Sequence, residues 1–264
     1  MKRRHVFALL LPPIWPSKRP IPKVLLACSL CAVSAAAHGA AIKVMSDSPL
    51  EPALTKVVAV YQRETQNKVA LVFDPSPIVK KRIEGGEAAD VAIVQPDFVD
   101  ELSKSGKVSA GERPVIGRVG VGLGNRKDGP AYDISTPEKF KRTLLGADLL
   151  VFNNVASGNA FEKVLERLGI ADALKPRIVR TGPLGIFGPV LKGKGNDMAA
   201  GTIPLIATTP GIRLLGPLPG DLQSYLTYTA VLMAKTSQRD TAEGFIRFLM
   251  SPKAKRTFAA NGVN

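Results

Sequence analysis

The chain has 264 residues, with 36 Lys and Arg against 22 Asp and Glu and a formal net charge of +14. Both Cys, both His and the single Trp lie in the first 40 residues. If that segment is removed, the remaining chain has no thiolate or imidazole. This excludes the usual zinc and copper ligands as well as Ser-His-Asp and Cys-His catalysis.

Residues 1–40 have the pattern of a secretory signal. They contain six Lys or Arg and no acidic residue, and an apolar run from Val24 to Ala37 leads to small residues through Ala41. The run is shorter than the roughly 20 residues that span a bilayer. Cys28 follows a sequence that only faintly resembles a lipoprotein site, so we expect secretion without a lipid anchor.

The charge that remains after such a cleavage is smaller. Removing the six basic residues leaves 30 Lys and Arg against 22 Asp and Glu, a net charge of +8. This excess could attract anions, but the basic residues are scattered and few aromatic residues lie among them. We therefore expect no nucleic-acid binding.

The first predicted elements are a strand at Ala41–Met45, a helix continuing to Tyr61 and a second strand at Lys68–Phe73. Ser48, Pro49 and Glu51 have the spacing of a capping box with Pro at the first helical position. The apolar residues from Leu50 to Tyr61 follow at helical spacing, which predicts one buried helix face.

The segment from Phe73 to Asp97 predicts a turn, a short helix ending at Gly85-Gly86 and a buried strand at Asp90–Val94. Ser76 precedes Pro77 and is predicted to be the helix N-cap. A hydroxyl beside free helix amides is either an ordinary cap or part of an anion site. A short helix at Phe98–Lys104 completes a β-α-β-α-β order, which is typical of an α/β fold with parallel strands.

The second part of the chain begins with a glycine-studded strand at Arg118–Gly124, interpreted as a crossover with bending or close backbone approach. Residues 188–195 nearly match a phosphate-binding P-loop, but no Ser or Thr stands at its last position, so we reject that function. The remaining predictions are helices at 136–143, 157–168 and within 239–260, and strands at 148–152, 178–180, 198–206 and 222–234.

Three segments together resemble the periplasmic molybdate-binding protein family. These are Ile83-Glu-Gly-Gly-Glu-Ala-Ala-Asp90-Val-Ala-Ile, Val155-Ala-Ser157-Gly158 with the helix after it, and Tyr228-Thr-Ala-Val-Leu-Met followed by Gly244-Phe-Ile-Arg-Phe-Leu-Met-Ser-Pro-Lys-Ala. No single motif is specific, but their order and spacing are.

The resemblance implies a two-lobed type II periplasmic-binding-protein fold, an α/β fold in which each lobe is a mainly parallel sheet flanked by helices. It implies a ligand cleft between the lobes. Lobe I would contain residues 41–116 plus 217–264, and lobe II residues 117–216. Residues 1–40 would direct the protein to the periplasm.

The resemblance also implies a site of hydroxyls and backbone amides without Lys or Arg. Position by position, it places Ser76, Ser157 and Leu184 at family ligand positions. Pro49 falls where the family has its first binding Ser, so Ser46 or Ser48 is expected to replace it. Near Pro204 the family has a Tyr, and the nearest hydroxyl here is that of Thr202.

The leading hypothesis is therefore a monomeric extracytoplasmic receptor that captures a small anion, with molybdate or tungstate as possible ligands. It would deliver the anion to the permease of an ABC importer, with no cofactor and no protein-bound metal. The alternative is a diverged receptor-like protein that acts as a sensor or interaction module with a different ligand or no oxyanion ligand.

Two other functions are weighed and not favoured. A secreted enzyme with paired carboxylates would depend on Asp90, Asp97 or Asp100, which read as strand-start and helix-start residues, so we expect no enzyme. Some related receptors hold ferric iron with paired tyrosines. Tyr225 and Tyr228 are three residues apart in a strand and point to opposite faces, which favours core or surface placement.

Overall fold

The structure, a computed structural model, describes residues 40–264. The predicted secretory signal lies outside the described residues, apart from its last residue. The strands are β1 Ala41–Asp47, β2 Lys68–Asp74, β3 Val91–Val94, β4 Val115–Arg126, β5 Leu149–Asn153, β6 Ile178–Thr181, β7 Asp197–Thr202, β8 Ile212–Pro217 and β9 Tyr225–Leu232.

The helices alternate with these strands and cover the sheet. They are α1 Glu51–Thr65, α2 Ser76–Glu84, α3 Pro96–Lys104, α4 Pro137–Leu145, α5 Ala156–Arg167, α6 Ala171–Leu174, α7 Phe187–Lys192, α8 Ile203–Thr208, α9 Arg239–Leu249 and α10 Pro252–Ala259. Within residues 40–264, no helix combines the length and apolarity needed to cross a membrane.

One end of the sheet is formed by β2, β1, β3, β9 and the first half of β4. Strands β2, β1 and β3 are parallel, and β9 runs antiparallel between β3 and β4. Because β9 comes late in the chain, this part of the sheet is built from both ends of the described sequence. The parallel strands end at a common edge, and Asp47 is the last residue of β1.

The other end of the sheet repeats this arrangement. The second half of β4 pairs with β7 and β8, and β7, β5 and β6 are parallel. Asn153 is the last residue of β5 and Thr202 the last residue of β7. Each half therefore presents the carboxyl ends of parallel strands, the usual place for a ligand site in an α/β sheet.

The glycines of β4 permit close packing where the strand passes between the two halves. A Cβ on Gly122 would lie 2.9 Å from the carbonyl oxygen of Gly216, and one on Gly124 would lie 2.6 Å from Cγ2 of Ile206. The predicted close backbone approach is confirmed. The strand is longer than predicted because its pairing continues through both halves.

Buried apolar side chains hold helices α2 and α5 against the sheet. Helix α2 packs through Val79 and Ile83 against Met45 of β1 and Val94 of β3. Helix α5 is fixed by Phe161, whose ring meets Phe152 of β5 edge-on at 5.3 Å between centroids. Aromatic pairs of this kind contribute about 1 kcal/mol beyond their buried area.

One predicted strand ends earlier than expected, and one strand of the structure was not predicted. The strand predicted for residues 198–206 ends at Thr202, and helix α8 begins at Ile203 with Pro204 in its first turn. Proline is well accommodated there and poorly in a central strand, so the apolar run hid a change of structure. Strand β8 was not predicted, since its Gly-Pro ending reads as a loop.

Candidate ligand-binding site

A cavity of about 480 Å³ lies where the carboxyl ends of the strands from both halves of the sheet meet. Its wall includes Asp47 at the end of β1, Asn153 at the end of β5 and Thr202 at the end of β7. The first turns of helices α2 and α5 also border it, through Ser76 and Ser157. This set of polar side chains forms the candidate site.

A hydrogen-bonded group at the end of β1 forms one part of the wall. The Ser76 hydroxyl donates to the Asp47 carboxylate and accepts from the backbone N–H of Gln95 at 3.2 Å. The Gln95 side-chain amide donates to the same Asp47 oxygen at 3.3 Å. The Ser76 hydroxyl is therefore already used as a donor inside the protein.

Asp47 is the electrostatically unusual residue of this wall. It is only 3 % exposed. Burial raises the pKa of its carboxyl to about 6, and the hydrogen bonds from Ser76 and Gln95 only partly oppose this effect. At neutral pH the carboxylate is therefore mostly ionised, and below about pH 6 it becomes mostly protonated.

The end of β5 forms the corresponding part of the wall in the other half. The Asn153 side-chain oxygen accepts from the backbone N–H of Gly158 at 2.9 Å and of Val155 at 3.3 Å. It also lies within hydrogen-bonding distance of the Ser157 hydroxyl. The amides of Ala156 and Ser157, at the first positions of α5, lack intrahelical acceptors and remain suitable donors to an anion.

Two buried hydroxyls in the cavity wall have no hydrogen-bond partner. They belong to Thr202, which is 3 % exposed, and Tyr228, which is fully buried. Burial, and next the negative charge of Asp47, raise the pKa of Tyr228 well above its usual value, so its hydroxyl stays protonated. Gln95 lies near it, but not in the geometry of a hydrogen bond. An unpartnered buried hydroxyl costs about 1–3 kcal/mol, so both groups favour a polar ligand.

Positive side chains are missing from this wall. Among the described residues that line the cavity there is no Lys, Arg or His, and the ionisable carboxyls are Asp47 and Asp97. Residues 40–264 also contain no group of three or more His, Cys, Asp or Glu placed to hold a metal ion. The donors available to a ligand are hydroxyls and amides.

Five of the six site residues proposed from sequence line the cavity, and one does not. Ser76, Ser157, Ser48, Leu184 and Thr202 all line the cavity, and Leu184 is 60 % exposed at its rim. Ser46 is not among the lining residues. It is fully buried in β1, and its hydroxyl is 3.4 Å from the carbonyl oxygen of Asp47.

Both predicted serine caps are wrong. Asp47 precedes a short 3-10 turn at Ser48–Leu50, Leu50 precedes α1, and neither helix start has a side-chain cap. Pro75 precedes α2, where Ser76 is the first helical residue. The Ser76 side chain points to Asp47 instead, because a buried carboxylate is the stronger acceptor.

The two prolines at or near family ligand positions differ in whether they line the cavity. Pro49 is buried and lines the cavity, where it supplies no donor. Pro204 is buried in α8 and is not among the lining residues. Thr202, the nearest hydroxyl in sequence, does reach the wall.

Sequence reasoning missed Asp47, Gln95, Asn153 and Tyr228. Asp47 and Asn153 each end a predicted strand just before a turn, which is a usable signal in an α/β fold. Tyr225 and Tyr228 do occupy opposite faces, half exposed and fully buried. Tyr228 nevertheless lines the cavity, which the core prediction did not include. Asp90 instead accepts from the backbone N–H of Lys43 and from Thr236.

A family model described as bacterial extracellular solute-binding protein matches residues 42–264. The chain belongs to this family.

Curated relatives of this solute-binding protein include two with different described activities. An aconitate isomerase from a Pseudomonas species is 24 % identical over 230 residues, covering 84 % of this chain and 87 % of that protein. The molybdate-binding protein ModA of Azotobacter vinelandii is 23 % identical over 235 residues, covering 87 % and 92 %.

A solved structure of a periplasmic molybdate-binding protein from Azotobacter vinelandii gives a TM-score of 0.70 at 20 % identity. It covers 84 % of this chain and 98 % of that one. The structure of PEB3 with bound L-phospholactate gives 0.66 at 15 % identity, covering 84 % and 99 %. These likenesses confirm the predicted type II periplasmic-binding-protein fold.

Proposed function

We propose that this solute-binding protein is a periplasmic receptor that captures a small anion and delivers it to the permease of an ABC importer. It is secreted through residues 1–40 and acts as a monomer without a cofactor or catalytic activity. The anion binds between lobe I, residues 41–116 plus 217–264, and lobe II, residues 117–216. The hinge between them closes when the ligand bridges both.

The observation that carries this proposal is the set of unused donors in the cavity wall. The Thr202 and Tyr228 hydroxyls are buried without partners, and the first amides of α5 point out of the helix N-terminus. Neutral donors of this kind stabilise an anion without a positive side chain. The membership in the solute-binding family and the molybdate-binding relative support the same reading.

Calorimetry with the purified protein tests the proposal. The panel contains molybdate, tungstate, sulfate, phosphate and the organic anions malate, succinate and phospholactate. We expect at least one of them to bind with a stoichiometry of one per chain. No heat and no thermal shift with any member would overturn the receptor function.

A second candidate function is supported by Asp47 and by the aconitate isomerase relative. Isomerisation of an unsaturated polycarboxylate by proton shift breaks one C–H bond, moves the double bond and forms another C–H bond. One base that takes and returns the proton is sufficient. A buried carboxyl with a pKa of about 6 beside the cavity suits that task.

Proton NMR of cis- and trans-aconitate incubated with the protein separates the two functions. An isomerase interconverts the two acids, and Asp47→Asn removes the turnover. A receptor leaves both spectra unchanged even when one of the acids binds.

A further inference from the structure

The buried carboxylate in the cavity wall restricts which anion can bind. Asp47 is ionised at neutral pH, and an ionised carboxylate only accepts hydrogen bonds. Its nearby donors are protein groups: the Ser76 hydroxyl, the Gln95 side-chain amide and the backbone amides of Ser76 and Ser48. A ligand oxygen without hydrogen that approaches Asp47 therefore meets an acceptor and a like charge.

No compensating cation faces this carboxylate from the cavity. The described lining residues include no Lys, Arg or His, and the other ionisable groups are Asp97 and the protonated hydroxyl of Tyr228. Two like charges a few ångströms apart in the cavity repel each other. A bare tetrahedral dianion filling the cavity would carry that cost.

The hydrogen bonds of Ser76 further limit which ligand oxygens can bind next to Asp47. Its hydroxyl hydrogen is directed at Asp47, and its oxygen accepts from the Gln95 backbone amide. Ser76 therefore has no hydrogen left for a ligand oxygen. This wall accepts a ligand O–H more readily than it stabilises a ligand O⁻.

The remaining donors suit the charged part of the same ligand. The Thr202 and Tyr228 hydroxyls and the first amides of α5 can each donate to an anionic oxygen. The cavity of about 480 Å³ has room for a ligand with both kinds of group. The cavity wall thus offers both a hydrogen-bond acceptor, Asp47, and neutral donors.

We propose that Asp47 is a specificity-determining residue that selects an anion carrying an O–H group, such as a hydrogen phosphate or a hydroxy acid, over anions that lack one. This inference rests on the proposed receptor function. The O–H donates to the Asp47 carboxylate, while the anionic oxygens bind the free hydroxyls and amides.

Matched anion pairs test the inference by calorimetry at pH 8. The pairs are phosphate against sulfate, and malate against succinate, which differ chiefly in an O–H group. In whichever pair binds, the member with the O–H is expected to bind at least tenfold more tightly, as a hydrogen bond to a charged group allows. Equal affinity within the binding pair, or a preference for sulfate, molybdate or succinate, overturns the inference.

Two variants identify the residue responsible. Asp47→Asn removes the charge with little change of shape, and is expected to reduce the preference within a pair by at least tenfold. Asp172→Asn removes an exposed carboxylate of α6 that does not line the cavity, and should leave the preference unchanged. An unchanged preference in Asp47→Asn contradicts the assignment to Asp47.

The outcomes for the receptor function and for the inference are distinct. If no anion binds the wild-type protein, the receptor function fails and the inference fails with it. If anions bind without regard to an O–H group, the receptor function stands and only the inference fails. If Asp47→Asn does not fold, the wild-type pairs still decide the question.

Discussion

Two strand ends face the same cavity and solve the same structural problem with different charges. Asp47 ends β1 and accepts a hydrogen bond from Ser76, the first residue of α2. Asn153 ends β5 and accepts hydrogen bonds from amides at the start of α5. The aspartate places a negative charge in the wall, whereas the asparagine satisfies the backbone and adds none. The wall at Asp47 therefore accepts hydrogen bonds, whereas the wall at Asn153 leaves the first amides of α5 as donors for an anion.

The largest effect is expected from the glycine that lets Asn153 approach α5. A Cβ on Gly158 would lie 1.8 Å from the carbonyl oxygen of Asn153, so the backbone has to move. We expect Gly158→Ala to lower the free energy of unfolding by about 3 kcal/mol and to weaken anion binding. Chemical denaturation measures the first effect and calorimetry the second.

Gly182→Ala is the matched control, because a Cβ at that position meets no atom within 4 Å. It should change stability by about 0.5 kcal/mol or less. If Gly158→Ala is as stable as this control, α5 is not held against Asn153 as described.

Asp47 is expected to make the stability of the protein depend on pH. The folded-state pKa of Asp47, about 6, exceeds its ordinary value of 3.8, so the folded state binds the proton more tightly. The contribution of Asp47 to the free energy of unfolding therefore becomes more favourable as the pH falls from about 6 to 4, by up to about 3 kcal/mol. Denaturation of the wild type and Asp47→Asn from pH 8 to 4 measures it.

The variant should be favoured relative to wild type above pH 6 and lose that relative advantage by pH 4. The groups lining the same cavity are Tyr228, which stays protonated over this range, and the exposed Asp97. Asp97→Asn is the control and should follow the wild-type curve. A stability difference between Asp47→Asn and wild type that is independent of pH would contradict the raised pKa.

Making the second wall resemble the first should weaken anion binding. Asn153→Asp keeps an oxygen for the amides of α5 and adds a negative charge beside the free donors. We expect an affinity loss of about 100-fold for whichever anion binds the wild type, equal to about 2.7 kcal/mol. Asn154 also lines the cavity, but the Gly158 amide donates to Asn153 instead, so Asn154→Asp should cost less. Equal losses would show that only net charge matters.

The smallest effect concerns the unpartnered Tyr228 hydroxyl. Tyr228→Phe removes a buried group without a partner, so the free protein should gain about 1 kcal/mol of stability. Anion binding should weaken by about tenfold, measured by calorimetry. Tyr61→Phe removes a hydroxyl bonded to Asn67 elsewhere and should not alter binding. Unchanged binding in Tyr228→Phe would place the ligand away from β9.

Much of the fold follows from local sequence signals, since the helices and strands around Ser76 and Ser157 have clear periodicity and turns. The site was only partly predictable, because the Ser76 hydroxyl had an obvious local role as a cap. A carboxylate 29 residues earlier changes that role, and only the pairing of β1 with β2 and β3 brings the two together. Tyr228 shows the same limit, since alternation along β9 identifies its face but not the cavity that this residue lines.

A crystal structure of the protein with its tightest-binding anion would test the account most directly. We predict anionic oxygens within hydrogen-bonding distance of the first amides of α5 and of the Thr202 and Tyr228 hydroxyls. We also predict a ligand O–H directed at the Asp47 carboxylate. A bare anionic oxygen in contact with Asp47 at pH 8, or an anion bound outside this cavity, would contradict the account.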